Sequence, residues 1–175
     1  MGMPNDVTIR EATADDGPAC AAIYAHYIEH TTATFEEVAP GADEMATRIA
    51  NARVRHTWLV VERDGEVVGY AYGGPFKTRA AYRYSCEVSV YLDVAARGGG
   101  LGRSLYAALL ARLEALGFRM ACGGVTLPND ASVALHRAMG FEPVGTYRRI
   151  GWKHGEWRDV AWFQKALGGA GPPRD

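Results

Sequence analysis

The apolar positions of this chain change period several times, and each change marks an element. Residues 7–10 read as a short strand, and Asp15-Asp16-Gly17-Pro18 then supplies a capping residue and a proline suited to a first helical turn. Behind it the pairs Ile23/Tyr27 and Tyr24/Ile28 fall four apart and predict a helix with one buried stripe. Thr31-Thr32-Ala33-Thr34-Phe35 breaks that period, and a second helix is expected from near Asp43, carrying Met45 and Ile49 inward. From Thr57 the pattern turns β-like. Trp58-Leu59-Val60-Val61 and Val67-Val68-Gly69-Tyr70-Ala71-Tyr72 flank Asp64-Gly65, a strong hairpin signal. In Cys86-Glu87-Val88-Ser89-Val90-Tyr91-Leu92, alternation puts Val88, Val90 and Leu92 on a core face and Glu87, Ser89 and Tyr91 on a face that carries polar groups.

After the glycine cluster at residues 98–102, Leu101, Leu105, Leu109, Leu113 and Leu116 recur at helical spacing, and Gly117 is placed to end that helix. A strand over 120–127, a short helix over 129–139 closed by Gly140, and a last pair of strands over 141–150 and 157–167 complete the pattern. The sum is a mixed α/β layer fold with a hairpin at each end of the sheet and helices between. Residues 7–167 are expected as one domain, between a flexible start at 1–6 and a disordered Gly/Pro-rich tail at 168–175.

A length of 175 residues suits one domain with a substantial core. The 19 basic and 20 acidic side chains leave a net charge of -1, which disfavours a nucleic-acid partner. Cys20, Cys86 and Cys122 are an odd set with no C-x-x-C pair, so neither a disulfide framework nor a zinc knuckle is expected, and no metal is called for. There is no basic leader followed by an apolar stretch and no run of 18 apolar residues. A cytoplasmic protein without a membrane partner is the expectation.

The most informative stretch is Leu92-Asp93-Val94-Ala95-Ala96-Arg97-Gly98-Gly99-Gly100-Leu101-Gly102-Arg103, where a strand enters a glycine-rich turn that opens a long helix. Exposed amides at such a turn, backed by the helix dipole, suit a pyrophosphate, and the glycines let it approach the main chain. The same glycines would also serve a plain tight connection. A P-loop would need a lysine after them, and a dinucleotide fingerprint belongs in the first strand-turn-helix unit, so both fit badly.

Arg97-x-x-Gly100-x-Gly102 after a strand, followed by Asn129-x-x-Ser132-x-x-Leu135-His136-x-x-x-Gly140-Phe141, resembles the acetyl-CoA motifs of the GNAT N-acetyltransferase superfamily. The likeness runs from Ile9 to about Leu167 and implies a mostly antiparallel central sheet flanked by helices. Thr31-Thr32-Ala33-Thr34-Phe35-Glu36, Tyr72-Gly73-Gly74-Pro75-Phe76-Lys77-x-Arg79, Glu87-Val88-Ser89-Val90-Tyr91 and Lys153-His154-Gly155-x-Trp157-x-Asp159 look like its phosphinothricin/methionine sulfoximine acetyltransferase branch. Gly99 departs from the branch, whose members often carry a basic or polar residue there.

The resemblance implies a cofactor cradle from Arg97, Gly98, Gly99, Gly100, Leu101, Gly102 and Arg103, with Asn129 and Ser132 alongside and backbone donors at Val90, Tyr91 and Leu92. It places a catalytic base at Glu87, acting directly or through water, because only a neutral amine attacks a thioester. His136 falls where many relatives carry a tyrosine that protonates the departing thiolate. Lys77 and Arg79 would pair with an acceptor carboxylate or phosphinate, with Phe35 and Ser89 near the acceptor. Direct attack in a ternary complex is expected over an acyl-cysteine route through Cys86 or Cys122, both read as buried thiols. In relatives the pocket forms where two subunits meet, so a homodimer is expected, with residues 34–36 reaching a neighbour's site. A peptide or polyamine acceptor, or a non-catalytic acetyl-CoA sensor, is the alternative.

Overall fold

The Asp64-Gly65 hairpin forms as its sequence dictates: both residues are left-handed, at φ 54° and 84°, as a tight turn matched to strand twist requires. In the computed structural model, which describes residues 6–173, the turn joins β2 (Trp58–Arg63) to β3 (Glu66–Pro75). Before it come β1 (Val7–Glu11), α1 (Gly17–His30, with Pro18 in its first turn) and α2 (Ala42–Arg55). After it come β4 (Ser85–Leu92), α3 (Leu101–Ala115), β5 (Met120–Leu127), α4 (Asp130–Ala138), β6 (Glu142–Lys153) and β7 (Glu156–Ala166). Residues 1–5 and 174–175, within the expected flexible start and tail, lie outside the described residues. Asp6 exchanges hydrogen bonds with Asp64 at 3.2 and 2.9 Å, and residues 168–173 form neither helix nor strand.

The seven strands lie in one sheet in the order β1-β2-β3-β4-β5-β7-β6, antiparallel throughout except for the parallel pair β4–β5. Both faces are covered. Leu59, Val61, Ala71, Val88 and Ala121 pack beneath α3, whose Leu105, Leu109 and Leu113 are fully buried. Trp58, Val60 and Tyr70 pack on the other face against Ile23, Met45 and Ile49 of α1 and α2. The continuous apolar run at 58–61 therefore serves two cores, as in a strand buried on both sides.

Two expectations need correction. Leu116 is 44% exposed, because α3 stops at Ala115 and turns through Gly117, whose N–H bonds to Glu114 while that of Phe118 reaches back to Leu113. The face of β4 read as polar is roofed by α1: Tyr91 lies edge-on to Tyr24 and Tyr27 at 5.0 and 4.9 Å. Alternation assigned the face correctly but not what covers it.

The start of α1 is fixed by charge. Arg10 grips both oxygens of Asp16 at 2.8 Å and also bonds Glu62, and the N–H of Thr13 donates to Asp16 at 2.7 Å. The arginine holds the Asp16 carboxyl below its usual range. Asp16→Asn should lower the unfolding free energy by about 1–2 kcal/mol at neutral pH, the modest size reflecting the part-exposed Arg10. Because the folded-state pKa is depressed, the benefit exists above about pH 3.9 and fades as the pH falls toward the folded value. Urea titrations of both proteins should therefore converge in acid.

Candidate active site

β4 and β5 pair over three positions only, Ser85↔Met120, Cys86↔Ala121 and Glu87↔Cys122. Beyond them each strand stays bonded to its outer neighbour, β4 to β3 as far as Leu92 and β5 to β7 as far as Leu127. The two therefore diverge and open a slot through the sheet. A cavity of about 610 Å³ fills it, walled by 88–92 on one side and 124–126 on the other. The N–H of Asp93 bonds Val68 of β3 at 2.8 Å, so by strand alternation the amides of Val90 and Leu92 face the slot. Leu92 is already engaged: the Tyr27 hydroxyl donates to its carbonyl at 2.7 Å and accepts from its N–H at 3.3 Å. Val90 is left as a slot-facing pair of backbone groups.

The glycine loop stands at the mouth. Gly98 and Gly100 have φ of 86° and 76°, and a side chain at either would project into open space. Gly100 caps α3, whose first-turn amides at Leu101, Gly102 and Arg103 have no intrahelical acceptor. Arg97, Gly98, Gly100, Gly102 and Arg103 all line the cavity, and Arg97 also sits 5.2 Å from the Tyr27 ring. Among the described residues neither arginine has an ion-pair partner. Free amides, two unpaired guanidiniums and no Cβ in the way fit a diphosphate. Gly99 and the side chain of Leu101 do not line this space, and Leu101 is buried in the core.

Glu87 occupies the last paired position, where the slot begins, on the α1/α2 face. Burial raises its carboxyl pKa, and the Lys77 ammonium partly offsets that. Beside it Tyr72 pairs across the sheet with Ser89, whose side chain tempers the rise that burial gives the tyrosine pKa. Lys77 and Arg79 stand on the exposed loop after β3, outside the main cavity, with Lys77 5.2 Å from the Phe76 ring. Phe76 meets Tyr82 and Trp162 edge-on, and Trp162 lies over Gly124. Phe35 is 39% exposed, with its ring packed on Gly151.

His136 is on the opposite face. A Cβ on Gly123 would overlap its Nε2, so the glycine makes room for the ring. Its Nδ1 donates to the Ser132 carbonyl at 2.8 Å, and its Nε2 pairs with the Tyr106 hydroxyl at 3.0 Å. Burial lowers its pKa. Asn129 caps α4 by accepting the N–H of Ser132 at 3.1 Å, and both residues line the cavity. Tyr27, Tyr106 and Thr126 line it too. The sequence reading assigned none of these three to the site, because each looks like an ordinary core or strand residue. Cys86, with its thiol pushed up to about 12, and Cys122, raised by burial and by Glu87, are not poised as nucleophiles. Among the described residues no cluster of three His, Cys, Asp or Glu is placed to hold a metal, and no helix is long and apolar enough to cross a membrane.

A slot between diverging parallel strands with an anion cradle at its mouth calls for comparison with known proteins. A family model described as an acetyltransferase (GNAT) domain matches residues 9–162. The chain belongs to the GNAT acetyltransferase family. It is accordingly an N-acetyltransferase that uses acetyl-CoA. The chain is 42% identical over 168 residues to a phosphinothricin N-acetyltransferase of Streptomyces viridochromogenes, spanning 96% of this chain and 92% of that one. It is 33% identical to an L-methionine sulfoximine/L-methionine sulfone acetyltransferase of Salmonella typhimurium over 92% of this chain and 95% of the other. A GNAT phosphinothricin acetyltransferase of Sinorhizobium meliloti, solved in complex with acetyl-CoA, superposes with a TM-score of 0.92 at 39% identity, covering 97% and 94% of the two chains.

The geometry of His136 makes a spectroscopic prediction. Its imidazole should titrate below the usual 6.5 and carry its proton on Nδ1, as read from ¹⁵N shifts of the ring nitrogens. Since the unfolded chain binds that proton more readily, this group should also lower stability as the pH drops below 6.5.

Proposed function

We propose that this GNAT enzyme acetylates the α-amino group of a small amino-acid-like acceptor of the phosphinothricin, methionine sulfoximine or methionine sulfone type. The observation that carries this reading is the position of Glu87: a half-buried carboxylate at the closed end of the slot, within electrostatic reach of the Lys77 ammonium. Acetyl-CoA supplies an activated acetyl thioester. Arg97, Arg103 and the amides at the start of α3 hold its diphosphate end, Asn129 and Ser132 flank it, and the Val90 backbone aligns the arm like an added strand. Glu87 removes a proton from the acceptor ammonium, directly or through water, and its burial makes it a stronger base than an exposed carboxylate. Lys77 and Arg79 pair with the acceptor's acidic group, while Phe35 walls the acceptor pocket and Ser89 lies beside Glu87 on the same strand face.

For His136 the geometry supports a narrower part than thiolate protonation. A neutral ring saturated by Ser132 and Tyr106 has no proton to spare, and it orients the Tyr106 hydroxyl on the cavity wall. A thiolate is a weakly basic leaving group and needs little acid assistance. The three described cysteines are buried and free, in keeping with a reducing, cytoplasmic setting.

Glu87→Gln should cut kcat about 100-fold or more while leaving acetyl-CoA affinity within about threefold. In the parent enzyme activity should fall as the pH drops through the raised Glu87 value. A panel scored for free CoA release decides the acceptor: rapid release with methionine sulfone, methionine sulfoximine or phosphinothricin supports the proposal. Release only with a peptide amine or a polyamine overturns it, and no turnover at all would indicate a sensor.

We also propose a homodimer, through the exposed β6–β7 hairpin, with residues 34–36 near the neighbouring site. Tyr147, Ile150, Trp152 and Trp157 are each more than half exposed there, at 61, 56, 54 and 51%. Sedimentation should give twice the chain mass, and Ile150→Asp combined with Trp152→Glu should give monomers.

A further inference from the structure

The stretch Lys153-His154-Gly155-x-Trp157-x-Asp159 has no part in the chemistry above, yet each named residue has a structural use. His154 and Gly155, at φ 53° and 74°, make the tight turn between β6 and β7. Pairing jumps from Tyr147↔Val160 to Gly151↔Arg158, so three residues of β6 bulge opposite Asp159. The Asp159 carboxylate accepts the N–H of Arg149 at 2.7 Å and holds that bulge, while Trp157 packs edge-on against Trp152 at 5.2 Å. Bulge and turn together bring the tip of the hairpin to the connection between α1 and α2.

There the tip grips main chain. The Lys153 ammonium donates to the Thr34 carbonyl at 2.8 Å, and the His154 Nε2 bonds the Thr31 carbonyl at 3.2 Å. Gly151 lies under Phe35, and a Cβ at 151 would come within 2.3 Å of the ring. The far side of the same connection is held by Tyr24, bonded to the Thr34 hydroxyl at 2.7 Å, and by Arg48, bonded to both oxygens of Glu36. Lys153 is only 4% exposed. Burying an ammonium is costly, and a leucine or methionine would fill the volume without that cost. What the apolar residue would lack is the bond that fixes Thr34, the neighbour of Phe35.

We propose that Lys153 is a positioning residue of the acceptor site: by tethering the Thr34 carbonyl to the β6–β7 tip, with Gly151 as the seat, it fixes the Phe35 ring that shapes the pocket. This rests on the reading of Phe35 as a wall of that pocket. It ties the exposed β6–β7 hairpin to the fit of the acceptor.

The test is steady-state kinetics of the full chain with methionine sulfone and acetyl-CoA as the varied substrates. Lys153→Met should raise the acceptor KM about tenfold, with kcat and the acetyl-CoA KM within about threefold, and Lys153→Gln, which keeps an N–H donor, should recover part of the loss. Gly151→Ala displaces the same ring without touching the lysine and should give the same split, so it decides the matter if Lys153→Met fails to fold. A merely structural lysine would lower the active fraction and leave both KM values alone. A raised acceptor KM in Phe35→Ala with none in Lys153→Met and Gly151→Ala overturns the tether alone. An unchanged acceptor KM in Phe35→Ala overturns the pocket reading beneath it.

Discussion

The parallel contact between β4 and β5, three residue pairs long, is the constraint on which the rest depends. Had the two strands stayed zipped to Leu92 and Leu127, the sheet would be continuous and there would be no slot. Separation leaves backbone groups on both inner edges without sheet partners, a cost that a buried strand does not ordinarily bear. It is sustained because each strand is paired along its outer edge with β3 or β7. Two independent cores then clamp the sheet from above and below. Part of the exposed edge is also satisfied locally, by the Tyr27 hydroxyl on both backbone groups of Leu92.

Glycines do two unrelated things around this slot, and only one of them is visible in a sequence. At the mouth, the run from Gly98 to Gly102 announces itself by density and by its place between a strand and a helix. The Gly123-Gly124 pair inside β5 and Gly151 inside β6 owe their place to distant chain: each leaves room for a ring, of His136, Trp162 and Phe35 respectively. Nothing local distinguishes them from glycines that weaken a strand, so the walls of the site could not be read from their positions alone.

The same division between local and distant information runs through the fold. The helices and the first hairpin follow from caps, spacing and the Asp64-Gly65 pair, all contained within a few residues. The last hairpin was legible as two strands, but the first of them runs on to Lys153, past the expected end at 150. Its turn uses His154 at a left-handed position, a residue that carries little turn signal, and its bulge depends on a carboxylate ten residues away. Arg97 and the glycines at 98, 100 and 102, which line the cavity, were legible because motif and spacing agree. Tyr27, Tyr106 and Thr126 were not, since an aromatic residue at helical spacing looks the same whether it faces a core or a cavity.

Electrostatics explains how so neutral a chain can set a cationic mouth and a carboxylate in one slot. The balance of 19 basic against 20 acidic groups conceals a local separation. Arg97 and Arg103 stand at the slot mouth, reinforced by the start of a 15-residue helix, while the carboxylate of Glu87 sits where the strands meet. Attraction falls off with distance and with solvent screening, so the arginines leave little mark on the carboxylate. Only burial and Lys77 act on it appreciably, in opposite directions. Burial alone would strengthen the base but keep it protonated over a wider range, and the cation alone would keep it ionised but weaken it. Burial is the larger of the two, so the Glu87 carboxyl stands above its usual range in spite of the nearby cation.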